Sequence, residues 1–230
     1  MREFLSSSVF LGLFLSIGAY ELGMILKKKT GLAILNPLLV SAAVVIAVLV
    51  ITKIDYNDYE AGAHYLSYLL TPATVCLAIP LYDKISLLKK DFKAIIFGII
   101  SGVLTSMVCV LAMCIIFSLS HENYVTLLPK SITTAIGLGV SEELGGISAI
   151  TAAVIIVTGI LGNVIADAIL KIFRITDPVA KGIALGSSAH AIGTTKAMEL
   201  GETEGAMSSL SIAVSGIITV VAASFFAMIY

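Results

Sequence analysis

Apolar residues come in long runs along this chain, and short polar connections separate them. A membrane-crossing helix needs about 20 consecutive, mostly apolar residues. Five runs meet this length, at about 4–26, 32–51, 92–119, 147–170 and 204–230. The pattern therefore predicts five helices that each cross a bilayer.

Three further apolar stretches contain residues that interrupt helices. A sixth crossing is predicted at 63–82, which carries Pro72 and Pro80. The stretches at about 129–140 and 178–199 are shorter and contain Gly, Ser, Thr or Pro. The predicted fold class is an all-α polytopic membrane protein with about six full transmembrane helices plus two broken or re-entrant segments. We expect a single transmembrane domain over 1–230.

Composition excludes most other classes of protein. Charged residues make up 13% of the chain, about half the usual share for a soluble domain, and the mean hydropathy is +1.06. The net charge of −1 excludes a basic nucleic-acid binder, so no nucleic-acid partner is expected. The three cysteines lie in apolar runs, which argues against a disulfide framework or a metal cluster. No metal or other cofactor is expected.

The basic residues orient the chain across the membrane. Clusters at 27–29, 84–93 and 171–181 hold ten of the fourteen Lys and Arg residues, and such clusters face the cytoplasm. The nearly neutral or acidic connections at 52–62 and 119–128 should then lie outside. This orientation places the N-terminus outside.

Counting crossings from these positions predicts two re-entrant segments. Residues 129–146 begin and end outside, so they should form a hairpin that turns near Gly137–Gly139. Residues 178–200 begin inside, and their short length and internal breaks favour re-entry. The C-terminus is outside if they re-enter and inside if they cross.

An offset of 57 residues aligns two parts of the chain without gaps. Pro72 then falls on Pro129, and Ser101-Gly102 falls on Thr158-Gly159. The repeat-like units are about 63–119, 120–173 and 178–230, and the last two would have opposite orientations, as in the inverted repeats of secondary transporters. The alternative is that apolar helices resemble one another by composition alone.

The broken elements are the best candidates for a binding site. Non-helical backbone at membrane depth is tolerated only where it is buried in protein or lines a cavity. Lys130, Ser131, Thr133 and Thr134 follow Pro129, which suits a first helical turn, and free N–H groups at a helix start favour an anion. Alternatively, Lys130 reaches toward lipid phosphates and the hydroxyls bond to their own helix.

The segment 186–196 contains a second cluster of polar and small residues. Ionisable residues inside a membrane are functional candidates, and His190 is the only histidine in the apolar regions. The alternative is a neutral histidine that bonds between helices. The other candidates for substrate binding in this segment are Ser188, Gly193, Thr194, Thr195 and Lys196. Lys196 could instead pair with Glu199, three residues later.

Two polar residues share a face of the predicted helix 147–170. Asn163 and Asp167 lie four residues apart, and Asp167 could bind a proton or a sodium ion. Alternatively, Asp167 lies near the cytoplasmic interface, close to Lys171.

Three segments carry a resemblance to a known family. TPATVCLAIPLY, PKSITTAIGLGVSEELGGISAITA and GIALGSSAHAIGTTKAMELGETEGAMSSL resemble the signature of the LrgB/CidB family, over nearly the whole chain. The resemblance implies a multi-pass protein of the bacterial cytoplasmic (inner) membrane that acts beside a small LrgA/CidA-type membrane protein. It also implies transport of small monocarboxylates, as in the related plastidial glycolate/glycerate translocator, or an antiholin-like role in murein hydrolase export and cell lysis.

The family's polar motif positions can be carried over residue by residue. They fall on Thr74, Lys130, Ser131, Thr133, Thr134, His190, Gly193, Thr194 and Thr195. Departures from the usual pattern are Thr71 for glycine, Ala135 for proline and Lys196 for arginine. The last matters because lysine cannot hold a carboxylate bidentately as arginine does.

A carrier is the function that the residues favour. A pore-former or antiholin-like protein does not need three broken elements rich in Thr, Ser and Lys, whereas a carrier needs polar groups at mid-depth. No nucleophile, base and orienting group stand at a recognisable spacing, so an enzyme is not expected. The exact substrate, the coupling ion and a homo-oligomeric state are left open.

The topology generates a first prediction. Cysteines placed at Glu142 or Glu143 should react with a membrane-impermeant thiol reagent added outside intact cells, because 129–146 begins and ends outside. Reaction only after permeabilisation would contradict this topology.

Overall fold

The computed structural model describes residues 10–32, 35–69, 72, 75–76 and 78–230. The regular structure of this part of the chain is helical. The chain forms two compact units, Met1–Cys76 and Leu77–Tyr230. Thr71 and Thr74, two positions singled out from the sequence, lie outside the described residues.

The first unit is a small group of helices. Helix α1 spans Phe10–Thr30, α2 spans Pro37–Thr52 and α3 spans Tyr56–Ala63, with a 3₁₀ segment at His64–Leu69. Asn36 caps α2 and Asp55 caps α3, since each side chain accepts a backbone N–H of the first turn. A Cβ on Gly23 would lie 2.8 Å from the Pro37 carbonyl oxygen, so glycine lets the start of α2 approach α1.

The second unit contains the remaining helices. In chain order they are α4 (Ala78–Asp83), α5 (Ile85–Lys90), α6 (Phe92–Ile116), α7 (His121–Leu127), α8 (Thr134–Glu143), α9 (Ser148–Ile172), α10 (Pro178–Leu200) and α11 (Glu202–Ala227). Buried apolar side chains of α6 pack on α11 and on α10, as in the cluster of Ile95, Ile99, Ile183 and Met207.

Four of the described helices, α1, α6, α9 and α11, are long and apolar enough to cross a membrane. Helix α2 is apolar but has only 16 residues. A count of six full spans is not confirmed. In the described part of 63–82, a 3₁₀ segment ends at Leu69, residues 72, 75 and 76 are helical, and α4 begins at Ala78. The class of a multi-pass helical membrane protein follows from these helices.

Helices α7 and α8 form the first hairpin. The Ile147 N–H donates to Thr126 Oγ1 at 2.8 Å, and Ser141 Oγ lies 2.7 Å from Thr151 Oγ1, so α7 and α8 both lie beside the start of α9. Between them, Ser131 Oγ lies 3.0 Å from Ser106 Oγ. Ser106 lies ten residues before the end of α6, about 15 Å along its axis. The chain therefore enters the bundle to half the length of α6 and returns.

The reversal does not occur at Gly137–Gly139, where the sequence predicted it. These residues lie inside α8, and the non-helical stretch is 128–133. Helix α7 ends before Pro129 because proline has no backbone N–H to continue the helical hydrogen bonds, although Leu128 keeps helical angles (φ −55°, ψ −44°). Glycine costs a helix only about 1 kcal/mol and can remain within one. Helix α8 begins at Thr134 with Thr133 as its N-cap, not at Pro129.

Helix α10 forms the second hairpin. Its backbone leaves the helical conformation at Ala189 (φ −128°, ψ 16°) and His190 (φ 42°, ψ −136°). A Cβ on Gly193 would lie 2.5 Å from the Leu185 carbonyl oxygen, a contact that a straight helix cannot make. Gly186 and Thr194 both contact Ser208, so the two arms, 178–188 and 191–200, lie side by side against α11. The segment predicted to be broken is therefore broken, and both its ends lie at one end of the bundle.

Small residues allow the second hairpin to approach α11 closely. A Cβ on Gly186 would overlap the Ser208 carbonyl oxygen and lie 2.7 Å from Ser211 Cβ. Ser208 and Ser211 are fully buried. Such backbone approach is how helices associate where lipid provides no hydrophobic driving force. Each hairpin is followed by a long helix, but the repeat units and their inverted relation stay predictions.

Glycine contacts generate a second prediction. Gly186→Ala should lower the free energy of unfolding by about 1–3 kcal/mol through overpacking. Gly139→Ala is the matched control, because nothing lies within 4 Å of its Cβ position and alanine favours a helix. The measurement is thermal unfolding of both variants in the same detergent. Equal midpoints for Gly186→Ala and wild type would contradict the packing described for α10 and α11.

Candidate functional site

The two hairpin tips meet beside the middle of α6. Ser131, from the first hairpin, lies against Ser106. Ser187, from the second, lies against Gly102, where a Cβ would be 2.8 Å from Ser187 Oγ. Gly102 and Ser106 are neighbours on one face of α6, one turn apart. The hairpins enter the bundle from opposite ends and reach the same level.

Hydroxyl groups line a cavity of about 400 Å³ at this junction. It lies between α6, the tip of the first hairpin and the first arm of the second. Its lining residues are Ser101, Gly102, Thr105, Ser106, Cys109, Lys130, Ser131, Ala184, Ser187 and Ser188. A hydroxyl donates one hydrogen bond and accepts others. Ser101, Ser187 and Ser188 donate to carbonyls of their own helices, so toward the cavity their oxygens can only accept.

Lys130 supplies the positive charge of the polar cavity. Its ammonium donates to Ser131 Oγ at 2.9 Å, which places it at the level of Ser106. No carboxylate of the described residues lies within ion-pair distance of Lys130. The side chain of Lys130 is partly buried. At this depth its ammonium does not reach toward lipid phosphates at the end of α6.

The neighbouring hydroxyls of the first hairpin have a different position. Thr133 and Thr134 are half-buried at the start of α8, and neither lines the polar cavity. Thr133 makes no side-chain cap bond to its helix. Of the four residues predicted around Pro129, the structure therefore brings Lys130 and Ser131 into the cavity.

His190 holds the second reversal against α9. Its Nε2 lies 2.9 Å from the Ile155 carbonyl oxygen. The carbonyl can only accept, so Nε2 carries the proton in this bond. The ring lies over Gly159, where a Cβ would be 2.7 Å from the imidazole. Asn163 Nδ2 adds a bond to the Ile192 carbonyl at 2.9 Å, so helix α9 fixes both sides of the break.

The second arm directs its polar groups away from the polar cavity. Thr194 donates to the His190 carbonyl and lies 2.7 Å from Ser208 Oγ, while the exposed Thr195 donates to the Ile192 carbonyl. Lys196 pairs with Asp167 at 2.7 Å and with Glu199 at 3.8 Å. The cluster predicted at 186–196 is thus divided, since only Ser188 of its candidates lines the cavity. Asp167 is an ion-pair partner, and its role in ion or proton binding stays a prediction.

Several lining residues were not predicted from the sequence. They are Ser101, Thr105, Ser106 and Cys109 on α6, and Ser187 on the first arm of α10. The three hydroxyls of α6 stand within six residues of an otherwise apolar helix, which is the signal that could have indicated a polar lining.

Long apolar helices define a multi-pass helical membrane protein, and two hairpins of this protein meet at a polar cavity. Residues 16–229 match the LrgB-like family, and the chain belongs to this family. No solved structure matches this fold.

His190 generates a third prediction. His190→Ala should lower the free energy of unfolding by about 1–3 kcal/mol, because the variant loses a buried hydrogen bond and its ring packing. Thr195→Ala is the control, since this exposed hydroxyl bonds only its own helix, and it should change stability by less than about 0.5 kcal/mol. Thermal unfolding in detergent measures both effects. A His190→Ala protein as stable as wild type would show that His190 does not hold the hairpin.

Proposed function

We propose that this protein is a secondary carrier of small monocarboxylates, such as pyruvate, glycolate or glycerate, in the bacterial cytoplasmic membrane. The observation that supports this most directly is Lys130, a cation without a carboxylate partner among the described residues, in a cavity lined by hydroxyls. Membership of the LrgB-like family agrees with a membrane function.

The chemistry of the polar cavity suits a carboxylate. A carboxylate that leaves water loses strong hydrogen bonds, and an unpaired charge in an apolar site costs several kcal/mol. The Lys130 ammonium would neutralise the charge. Ser106 and Ser131 would donate hydrogen bonds to its oxygens or to a 2-oxo group, and Ser187 Oγ, whose proton goes to the Ile183 carbonyl, would accept from a 2-hydroxy group. One cation in the cavity favours one carboxylate per substrate.

The hairpins supply a means of access from either side. A second cavity of about 400 Å³ runs along α6 and the first arm of α10, from Asp177 to Gly102 and Ser187, where it adjoins the polar cavity. It connects the junction with the end of the bundle at which α10 begins. Movement of the first hairpin would open the junction toward the other end, and an inverted repeat would make the two movements equivalent.

The proposal assigns neither an enzymatic activity nor a cofactor to this chain. The partner that it includes is a small LrgA/CidA-type membrane protein, which transport assays should therefore supply in one arm. Assembly into a homo-oligomer is compatible with the proposal but is not needed for it.

Lys130 generates the fourth prediction. In proteoliposomes, with and without the small partner, Lys130→Gln should lower the initial rate of labelled pyruvate, glycolate or glycerate uptake at least tenfold, which corresponds to about 1.4 kcal/mol. Lys130→Arg keeps the charge and should retain a larger rate. Lys196→Gln is the matched control, because this lysine already has a carboxylate partner.

These outcomes separate the two functions that the sequence suggested. Equal losses for Lys130→Gln and Lys196→Gln would reject Lys130 as the anion site. Absence of protein-dependent flux of all three substrates under either condition would reject the carrier and leave the antiholin-like role.

A further inference from the structure

Lys130 also faces a third cavity, whose lining differs from that of the polar cavity. This cavity has a volume of about 350 Å³ and shares Lys130, Ala184 and Ser188 with the polar cavity. The rest of its wall is almost entirely apolar and comes mainly from α9, including Leu161, Ile165 and Ile169. We call it the apolar groove.

The apolar groove is elongated along α9, and its apolar wall is partly exposed. Along α9 its lining extends over thirteen residues, from Thr158 to Leu170, or about 18 Å. Ile175, in the connection after α9, lies at its far end. Lys130 is the only charged side chain in the lining, within the part of the chain that the structure describes. The groove therefore combines a cationic end at mid-depth with a long apolar wall.

We infer that the apolar groove binds a medium-chain fatty acid, with its carboxylate on Lys130 and its alkyl chain along α9. An alkyl carboxylate complements both ends of the groove, since its chain can pack against the apolar wall and the cation needs an anion. A phospholipid fits less well, because its charged headgroup lies at the membrane surface and Lys130 lies at half the length of α6. Because the small substrate and the fatty acid would share Lys130, they should compete. This competition rests on the proposed function, whereas the binding does not.

Binding of radiolabelled octanoate to purified wild-type protein in detergent tests the inference. Saturable binding is expected, and Lys130→Gln should weaken it at least tenfold while Lys130→Arg retains most of it. Ile165→Trp should also weaken it at least tenfold, because a larger side chain fills the groove. Ile156→Trp is the control, since Ile156 is as exposed as Ile165 (45% and 47%) on the same helix but does not line the groove.

Each result decides the inference. Absence of saturable octanoate binding, or equal binding by the Ile165→Trp and Ile156→Trp proteins, would overturn it. Binding that depends on Ile165 but not on the charge of Lys130 would also overturn it, and would indicate a lipid acyl chain.

Competition between octanoate and pyruvate then tests the groove separately from the proposed carrier function. Octanoate should inhibit pyruvate uptake by wild type but much less by Ile165→Trp, which should still transport pyruvate. Pyruvate uptake without octanoate binding rejects the groove alone. Octanoate binding without uptake of any small carboxylate rejects the carrier alone.

Discussion

A polypeptide backbone that leaves the helical conformation inside a bilayer must find its hydrogen-bond partners within the protein, and this constraint organises the second unit. The two non-helical stretches, 128–133 and 189–190, lie where other helices surround them. At the second reversal, the Asn163 amide donates to the Ile192 carbonyl and Thr194 Oγ1 donates to the His190 carbonyl. At the first, the N–H groups of Lys130 and Ile132 donate to carbonyls within the turn, while Ser106 contacts the Ser131 side chain. The helices that bury these reversals also bring the two tips to one level, and the polar cavity follows from that arrangement.

The polar groups around this junction are of two kinds. His190, Thr194 and Lys196 are engaged with backbone or carboxylate partners, so they stabilise the hairpin. Lys130 bonds only to a serine hydroxyl among the described residues, which is why we propose it as the anion site. A charge in this position is costly to the folded protein alone, and this cost is the physical reason to assign it a functional role.

The sequence predicted the long helices of the second unit well and the hairpin tips less well. The ends of α6, α9 and α11 were predicted to within three residues because apolar runs mark them directly. The first turn was misplaced because Pro129 was interpreted as starting a helix, whereas it follows the end of α7. Ser106 and Ser187 were missed because a hydroxyl in an apolar helix usually bonds its own backbone, as Ser187 also does here. Their proximity depends on two reversals that no local pattern reports.

The meeting of the hairpins is the central claim, and cross-linking between their tips tests it most directly. Ser131→Cys and Ser187→Cys in a variant without native cysteines should be joined by a short bifunctional thiol reagent in intact membranes, because both side chains line one enclosed cavity of about 10 Å³. The volume is near that of a single water molecule. The pair Ser131→Cys and Ser148→Cys is the control, since Ser148 lies at the start of α9, far from the tip. The predicted result is a cross-link in the protein with Ser131→Cys and Ser187→Cys, and none in the control protein. The arrangement would be contradicted if the first pair did not cross-link although each of its cysteines reacted with a monofunctional reagent.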